Sequence, residues 1–536
     1  MAGRVWIEDG NAWRRIATCA LDERSGSAAE QSRTQFAHAF SENEVSGRNG
    51  KTRAGQDEVL VRKEETLVRE VAAPESGDAV WLWKRTAKRR QGGPGAPLSH
   101  GEGPHASLTA PPHGRGVWTL QLCGEPLTVR QTGGAEAQLR MAGVPIEPLD
   151  TRVRRCFVVP VLHLEALALR REELSAQRGA WPGRRAPVLP RPFGSAAAEA
   201  SLPPQLQRRI ERTAVRAVYA LGLDAAEVEL AVDDQGRTAV RTLQPPDPDS
   251  PLWAGAMQRM AAQYAEARSG AARSAELRLG ADPEFVLLRP DGRVAAAARY
   301  LPKRGAIGCD SVRIGPRLRY PVAELRPDPQ TSPSALAGAL RGLLRQAADR
   351  IDASELVWRA GGMPVPGLAL GGHIHLSGAW LSSRLLRLLD SCVALPLALV
   401  EEPAAAARRP RYGWLGDHRP QPHGGFEYRT PASWLASPAA ARAAFALTLL
   451  AARETWAEPL WQEPLPAERA ETVRAFYAGE HELLRNEVLR FAERLRATAS
   501  YPGLAAEIEP LLEAIAAGKR WDAGADLRSR WRIPAP

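Results

Sequence analysis

Lysine is scarce in this chain. Of its 71 basic residues only six are Lys (51, 63, 84, 88, 303 and 519), and the arginines are spread along all 536 positions. A dispersed arginine excess with a net charge of +10 reads as genomic base composition rather than as a basic nucleic-acid face, so no nucleic-acid partner is expected. The one dense basic run, Lys84 to Arg90, sits in a stretch that reads as solvated tail. Long apolar runs are missing too. Nothing approaches the roughly 18 residues of a spanning helix, and the opening MAGRVWIEDGNAWRR lacks the apolar centre of an export signal. A cytoplasmic protein with no membrane partner is the expectation. Cys19, Cys123, Cys156, Cys309 and Cys392 are odd in number, far apart and without a CxxC, which argues against a disulfide framework or a zinc knuckle. There is no GxxxxGK[ST]. The glycines of residues 361–372 come without its Lys and hydroxyl, so a nucleotide would have to lie on a sheet rather than in a P-loop.

What is present is enough apolar residue, 44% of the chain with 15 Trp, to bury a sizeable core, and a length that predicts about three domains. Residues 1–115 carry turn formers and mixed charge and read as a disordered or ill-defined extension. Residues 116–250 read as a smaller α/β domain, with strands at 117–123, 126–131 and 157–164, a helix near 206–223, and a hairpin of 227–232 with 238–243. Residues 251–276 read as a linker helix, 277–440 as the core that holds the chemistry, and 441–536 as helices that pack on it. The hairpin resembles the last lobe of an ATP-grasp domain. Its final strand, Val240 to Pro245, lacks the carboxylate of that lobe, so the resemblance implies a degenerate, structural one.

Four segments place polar residues at i and i+2: Asp282-Pro283-Glu284, Glu324-Leu325-Arg326, His373-Ile374-His375 and Glu427-Tyr428-Arg429. Residues two apart on a strand share a face. Each pair taken singly could be a strand entry or a surface ion pair. If the strands are neighbours, the crowded carboxylates must protonate or bind cations, and mostly oxygen donors with one or two imidazoles suit Mg²⁺ or Mn²⁺ better than zinc. Arg326, Arg411, Arg419 and Arg429 add planar forks for phosphate or carboxylate, and metal beside clustered arginine is the equipment of phosphoryl transfer.

The ordered set GADPEF (280–285), GCD (308–310), ELRPDP (324–329), GGHIHLSG (371–378), RPRYGWLGDHR (409–419) and GGFEYRTPASWL (424–435) resembles the phage-type carboxylate–amine ligases of type 2, amidoligases related to glutamine synthetase and glutamate–cysteine ligase. The resemblance implies an α+β fold with a glutamine-synthetase-like antiparallel sheet, partly closed as a barrel, that binds ATP and Mg²⁺ or Mn²⁺ on its concave face. It implies metal ligation by Asp282, Glu284, Glu324, His373 and Glu427, with Asp282 and Glu284 on different metals, His373 and Glu427 completing one site and Glu324 joining the other. Arg429 would stabilise the transferred phosphoryl group, with Arg326 and Asp310 also catalytic, Asp310 as amine contact or base. His375, Arg411 and Arg419 would contact the nucleotide. The reaction implied is amide formation through an acyl phosphate between a small-molecule or peptide carboxylate and an amine, with self-association left open. A segment matching the ammonium site of glutamine synthetase is absent, so the amine donor stays open. A metal-dependent hydrolase using the same cluster and an inactive scaffold are the alternative readings.

Overall fold

The computed structural model describes residues 3–9, 12–19, 80–84, 118–124, 126–147, 153–172, 202–247, 250–269, 276–314, 317–522 and 524–534. Most of the stretch read as an ill-defined extension lies outside them. Within it are the strands β1 (Gly3–Asp9), β2 (Ala12–Cys19) and β3 (Val80–Lys84), which join β4 (Trp118–Leu120) in a four-stranded sheet of order β2-β1-β3-β4. The basic run beyond Lys84 is outside the described residues.

A second sheet contains β5 (Leu127–Thr128), β6 (Val153–Leu162), β7 (Glu165–Ala166), β8 (Arg170–Glu172), β9 (Ala225–Asp233) and β10 (Thr238–Gln244). The expected hairpin is β9 with β10, turned at Gly236 with φ +73°. Every strand pairing in this sheet is antiparallel, so the module is α+β by strand direction and not the α/β unit its alternating texture suggested. The helix Pro204–Ala220 covers one face with Ile210, Ala214, Ala217 and Val218, spaced to form one apolar stripe. The helix expected as a linker, Pro251–Arg268, buries Trp253, Met257, Met260 and Tyr264 in a cluster with Leu120 and Leu162.

The third sheet holds β11 (Arg278–Leu288), β12 (Val294–Ala295), β13 (Ile307–Ile314), β14 (Arg317–Leu325), β15 (Val357–Arg359), β16 (Gly372–Ser377), β17 (His418–Pro420) and β18 (Phe426–Tyr428). Its main order is β13-β14-β11-β16-β18-β17, antiparallel throughout, with β12 and β15 on the far end of β11. Parity divides each strand. On β11, Leu279, Ala281, Phe285 and Leu287 enter the large core, and Asp282 and Glu284 take the other face. The same holds for Ala323 and Leu325 against Glu324, Ile374 and Leu376 against His373 and His375, and Phe426 and Tyr428 against Glu427.

Helices complete that core. Pro333–Arg350 and Pro438–Glu454 each start with a serine cap, Ser332 accepting from the Ala335 N–H and Ser437 from that of Ala440, followed by proline at the first helical position. The core continues unbroken from Leu279 to Ile533, so residues 441–536 are part of the same unit. Within it two helices, Ala470–Ala478 and His481–Arg496, are parted by Gly479 at φ +73°.

The six-stranded module is docked on this unit by buried polar contacts. Asp224 is fully buried, pairs with Arg387 at 3.0 Å, and accepts hydrogen bonds from the Gln121 N–H and the Ser383 hydroxyl. Arg387 also donates to the Leu223 carbonyl. The Ser383 N–H donates to His163 Nε2 at 2.8 Å, an acceptor only while the imidazole is neutral, and burial holds its pKa down at about 4. Removing one partner of a buried pair leaves the other charge uncompensated. Arg387→Met should therefore lower unfolding stability by roughly 3–5 kcal/mol in a denaturant titration, and adding Asp224→Asn should recover part of that loss.

Candidate active site

The four polar segments come together because their strands are neighbours in the expected face-sharing register. Glu284 lies opposite Glu324, Asp282 opposite His373, and His375 opposite Glu427, which in turn faces Arg419. Asp282, Glu284, Glu324, His373 and Glu427 are all buried. His373 Nδ1 stands 3.2 Å from Asp282 Oδ1 and 3.4 Å from Glu427 Oε1, while His375 Nε2 is 3.2 Å from the same Asp282 oxygen.

The close approach of β16 to its surroundings explains the glycine pair before it. A Cβ at Gly371 would collide with the His373 ring, and one at Gly372 with the Ala432 carbonyl and the Trp434 indole. The Gly371 N–H donates to Glu284 Oε2 at 2.7 Å, and the Ser433 hydroxyl donates to the Glu284 carbonyl. Glu284 is thereby fixed in position.

Asp282, His375 and Glu427 each offer a ligand atom within 4.8 Å of the others, a set able to hold a metal ion. Asp282 Oδ1 and His375 Nε2 are buried without a hydrogen-bond partner of acceptable geometry, as expected of atoms shaped for a cation. Two carboxylates and one imidazole make a donor set that fits a divalent cation. The imidazole in this trio is His375, the residue assigned to nucleotide contact, whereas His373 lies between Asp282 and Glu427 as a hydrogen-bonding neighbour.

The arginines divide. Arg326 pairs with Glu324 and lies over Gly308, where a Cβ would displace it. Arg429 donates to Glu427 Oε1 at 2.6 Å, and Arg419, itself exposed, pairs with Glu427 Oε2. Arg411 is exposed, with its guanidinium over the Tyr412 ring, and joins none of these groups. Asp310 is half-buried on β13, and its charge acts on Glu284 and Glu324.

Sequence reasoning passed over three contributors. Asp417, inside the quoted RPRYGWLGDHR segment, is buried, accepts the Arg429 N–H through its carbonyl, and sits 3.9 Å from the Arg429 guanidinium. Gln421 donates to Glu427 Oε2 at 3.1 Å. His423 joins Arg278, Arg326, His375 and Asp282 around a cavity of about 160 Å³ at the Gly280 end of the site. Asp417 could have been found as the acid of the Gly416-Asp417-His418 run in that segment, but Gln421 and His423 carry no sequence signal of their own.

Proton affinities follow from burial beside like charges. Burial opposes ionisation of Asp282, yet the imidazoles of His373 and His375 hold its carboxyl far below the usual range. Burial lifts Glu284 to about 7, with Asp310 and Asp282 adding to the rise. Burial and the Asp282 charge lift Glu324 to about 8. Burial works against protonation of His373, but Asp282 and Glu284 overcome it and raise it to about 9.

These shifts set a pH dependence for the metal-free protein. Glu284 and Glu324 rise from an ordinary 4.5, so the folded state holds protons that the unfolded chain releases above that pH, and stability falls as pH climbs through about 7 and 8. His373 acts in the same direction, its contribution complete below 6.5 and lost through about 9. The melting temperature without metal should decline between pH 5 and 9, and Mg²⁺ or Mn²⁺ should flatten that decline. Glu284→Gln should reduce the slope; an unchanged slope in this variant would contradict the assignment.

Comparison with solved structures finds the complex between the prokaryotic ubiquitin-like protein Pup and its ligase PafA, at 12% identity over 46% of this chain and 65% of that one, with a TM-score of 0.33. It also finds a bifunctional glutathione synthetase from Pasteurella multocida, at 11% identity over 48% of each chain with a TM-score of 0.29, and apo GmaS, at 16% identity over 57% of this chain and 82% of that one with a TM-score of 0.27. The first two are spanned over less than two thirds of their own lengths. No curated protein matches. Residues 279–533, the sheet just described together with the helices that complete its core, match the family model described as Phage phiEco32-like COOH.NH2 ligase-type 2, so this segment of the chain is similar to that family.

Proposed function

We propose that the protein is an ATP-dependent ligase that joins a carboxylate to an amine through an acyl phosphate, on the polar face of a glutamine-synthetase-like, partly closed sheet. The observation that carries this reading is the alignment of Asp282, Glu284, Glu324, His373, His375 and Glu427 across four adjacent antiparallel strands. In the first step an oxygen of the substrate carboxylate bonds to the γ-phosphorus of ATP as the bond to the bridging oxygen breaks and ADP leaves. In the second, the amine nitrogen bonds to the acyl carbon and phosphate departs, taking its oxygen, while the amine proton passes to Asp310.

Mg²⁺ or Mn²⁺, held by Asp282, His375 and Glu427 and by the Glu284–Glu324 pair, would neutralise phosphate charge and lower the barrier to transfer. Arg429, kept protonated by Glu427 and Asp417 against the cost of its burial, is placed to stabilise the charge of the transferred group. Arg326 faces the cavity at the Gly280 end, where its fork can bind phosphate or carboxylate. Beyond Glu284 on the same strand, Val286 and Leu288 form an apolar cluster with Val322 and Leu370. That cluster dries one wall of the site, which protects an acyl phosphate from hydrolysis.

We read the six-stranded module as an ATP-grasp-like lobe without nucleotide. Its acids are engaged: Glu229 with Arg241 and Thr242, and Glu227 with Arg170 and the Trp253 N–H. In this reading nucleotide binds on the third sheet. Purified protein given ATP, Mg²⁺ or Mn²⁺ and pooled carboxylates and amines should release ADP and phosphate. Glu284→Gln and Glu427→Gln should each lower that release by about 100-fold or more with the folded state intact by circular dichroism. ATP-independent hydrolysis lost in the same variants would instead favour a metal hydrolase.

A further inference from the structure

Six basic residues between 299 and 319 face a single acid, Asp310, so this short stretch carries a net +5 of the whole chain's +10. All six, Arg299, Lys303, Arg304, Arg313, Arg317 and Arg319, are exposed. They lie along one hairpin and the turn packed on it, with Arg317 and Arg319 on one face of the ladder and Arg313 beside Leu318 on the other. Arg313 lies opposite Leu318 across the β13–β14 hairpin, with Val312 opposite Arg319 and Ile314 opposite Arg317. The Lys303 ammonium sits 4.6 Å over the Tyr320 ring, and the turn Ala297–Arg299 packs on the same strand.

None of the six forms an ion pair among the described residues. Some exposed arginines elsewhere do find acids: Arg140 pairs with Glu136, Arg170 with Glu227, Arg237 with Asp233 and Arg496 with Glu509. A cluster with no paired acid among the described residues repels itself, and an anionic partner would relieve that repulsion. Leu318, at the end of the hairpin, is 51% exposed, one of two large apolar side chains left open among the described residues.

We propose that the β13–β14 hairpin with the 299–304 turn is a docking surface for an acidic polypeptide, which presents one of its carboxylates to the Glu284–Glu324 end of the site. This rests on the ligase reading and specifies the substrate class. The hairpin runs directly into the chemistry: β13 carries Asp310 and β14 carries Glu324. From Arg319 to Glu324 is five residues, about 17 Å at strand rise, a span that a few residues of extended peptide cover. An acidic chain laid on these cations is thus both ligand and source of the carboxylate to be activated. A single-stranded nucleic acid fits less well, because base stacking needs open aromatic rings, whereas Tyr300 and Tyr320 are half-buried, Tyr320 lies under Lys303, and the open side chain is Leu318.

The test uses the full chain and a fluorescein-labelled peptide alternating glutamate and alanine, with binding read by fluorescence anisotropy and ADP release measured in parallel. Wild-type protein should bind the peptide, more weakly as salt rises. The combined Arg313→Glu, Arg317→Glu and Arg319→Glu variant should lose about tenfold or more in affinity, keeping its melting temperature and its ADP release with free glutamate. Glu284→Gln should bind the peptide as the wild type does. Absent binding, or binding indifferent to the charge reversal, overturns the surface, as does a single-stranded oligonucleotide of equal charge that outcompetes the peptide. Peptide binding lost on reversal, in a protein that releases no ADP with any substrate, upholds the surface and overturns the ligase reading alone.

Discussion

Four acids on the polar face of the third sheet, Asp282, Glu284, Glu324 and Glu427, are buried within reach of one another, and their mutual repulsion is the constraint around which the site is built. Water cannot screen them there, so each has a local answer. Asp282 stays ionised between two imidazoles, Glu427 pairs with Arg419 and Arg429, and Glu324 pairs with Arg326, whose charge offsets only part of what burial does to it. Glu284 has no cationic partner in contact and instead accepts the Gly371 N–H. It is accordingly one of the acids that burial pushes toward neutrality, and the position where an incoming cation changes the charge balance most.

The strands that carry this cluster were legible in the sequence because strand parity is local. Apolar residues at 279, 281, 285 and 287 and polar ones at 282 and 284 announce the two faces of β11 without reference to anything distant. Which imidazole belongs to the metal-capable trio was not legible, since His373 and His375 share parity and differ only in how β16 slides against β11 and β18. Arg411 illustrates the same limit. Its motif places it near the site in sequence, but the turn at Arg409–Gly413 leaves it outside. The antiparallel direction of the six-stranded module was likewise hidden, because strand order is decided by hairpin closure and long-range pairing rather than by composition.

Asp390 shows how far a site can extend through residues without chemistry of their own. It begins a π-helical turn, Asp390–Ala394, inside the helical run from Ser383 to Val400. One of its oxygens accepts from the Tyr428 hydroxyl and the Gly416 N–H, and the other from the Tyr219 hydroxyl of the docked module. Tyr428 lies between Glu427 and Arg429, and Gly416 precedes Asp417. One buried carboxyl, raised to about 7 chiefly by that burial, thus ties the module to both segments that bear on Arg429. A wide π turn opens the helix enough to aim a side chain between layers. A lone acid in the apolar run LLRLLDSCVALPL was its only trace in the sequence.

The parity of β11 carries a consequence for how this protein can vary over time. Its even positions hold ligands and its odd positions hold core, and the neighbouring strands are aligned to the same count. A substitution alters one group, whereas a single-codon deletion between Gly280 and Val286 would exchange the two sets for the rest of the strand, turning Phe285 and Leu287 toward the polar face. Lineages descending from such a sheet are therefore free to explore by replacement but not by changes of length within it. Length variation is left to the hairpin ends and to the helices on the opposite side.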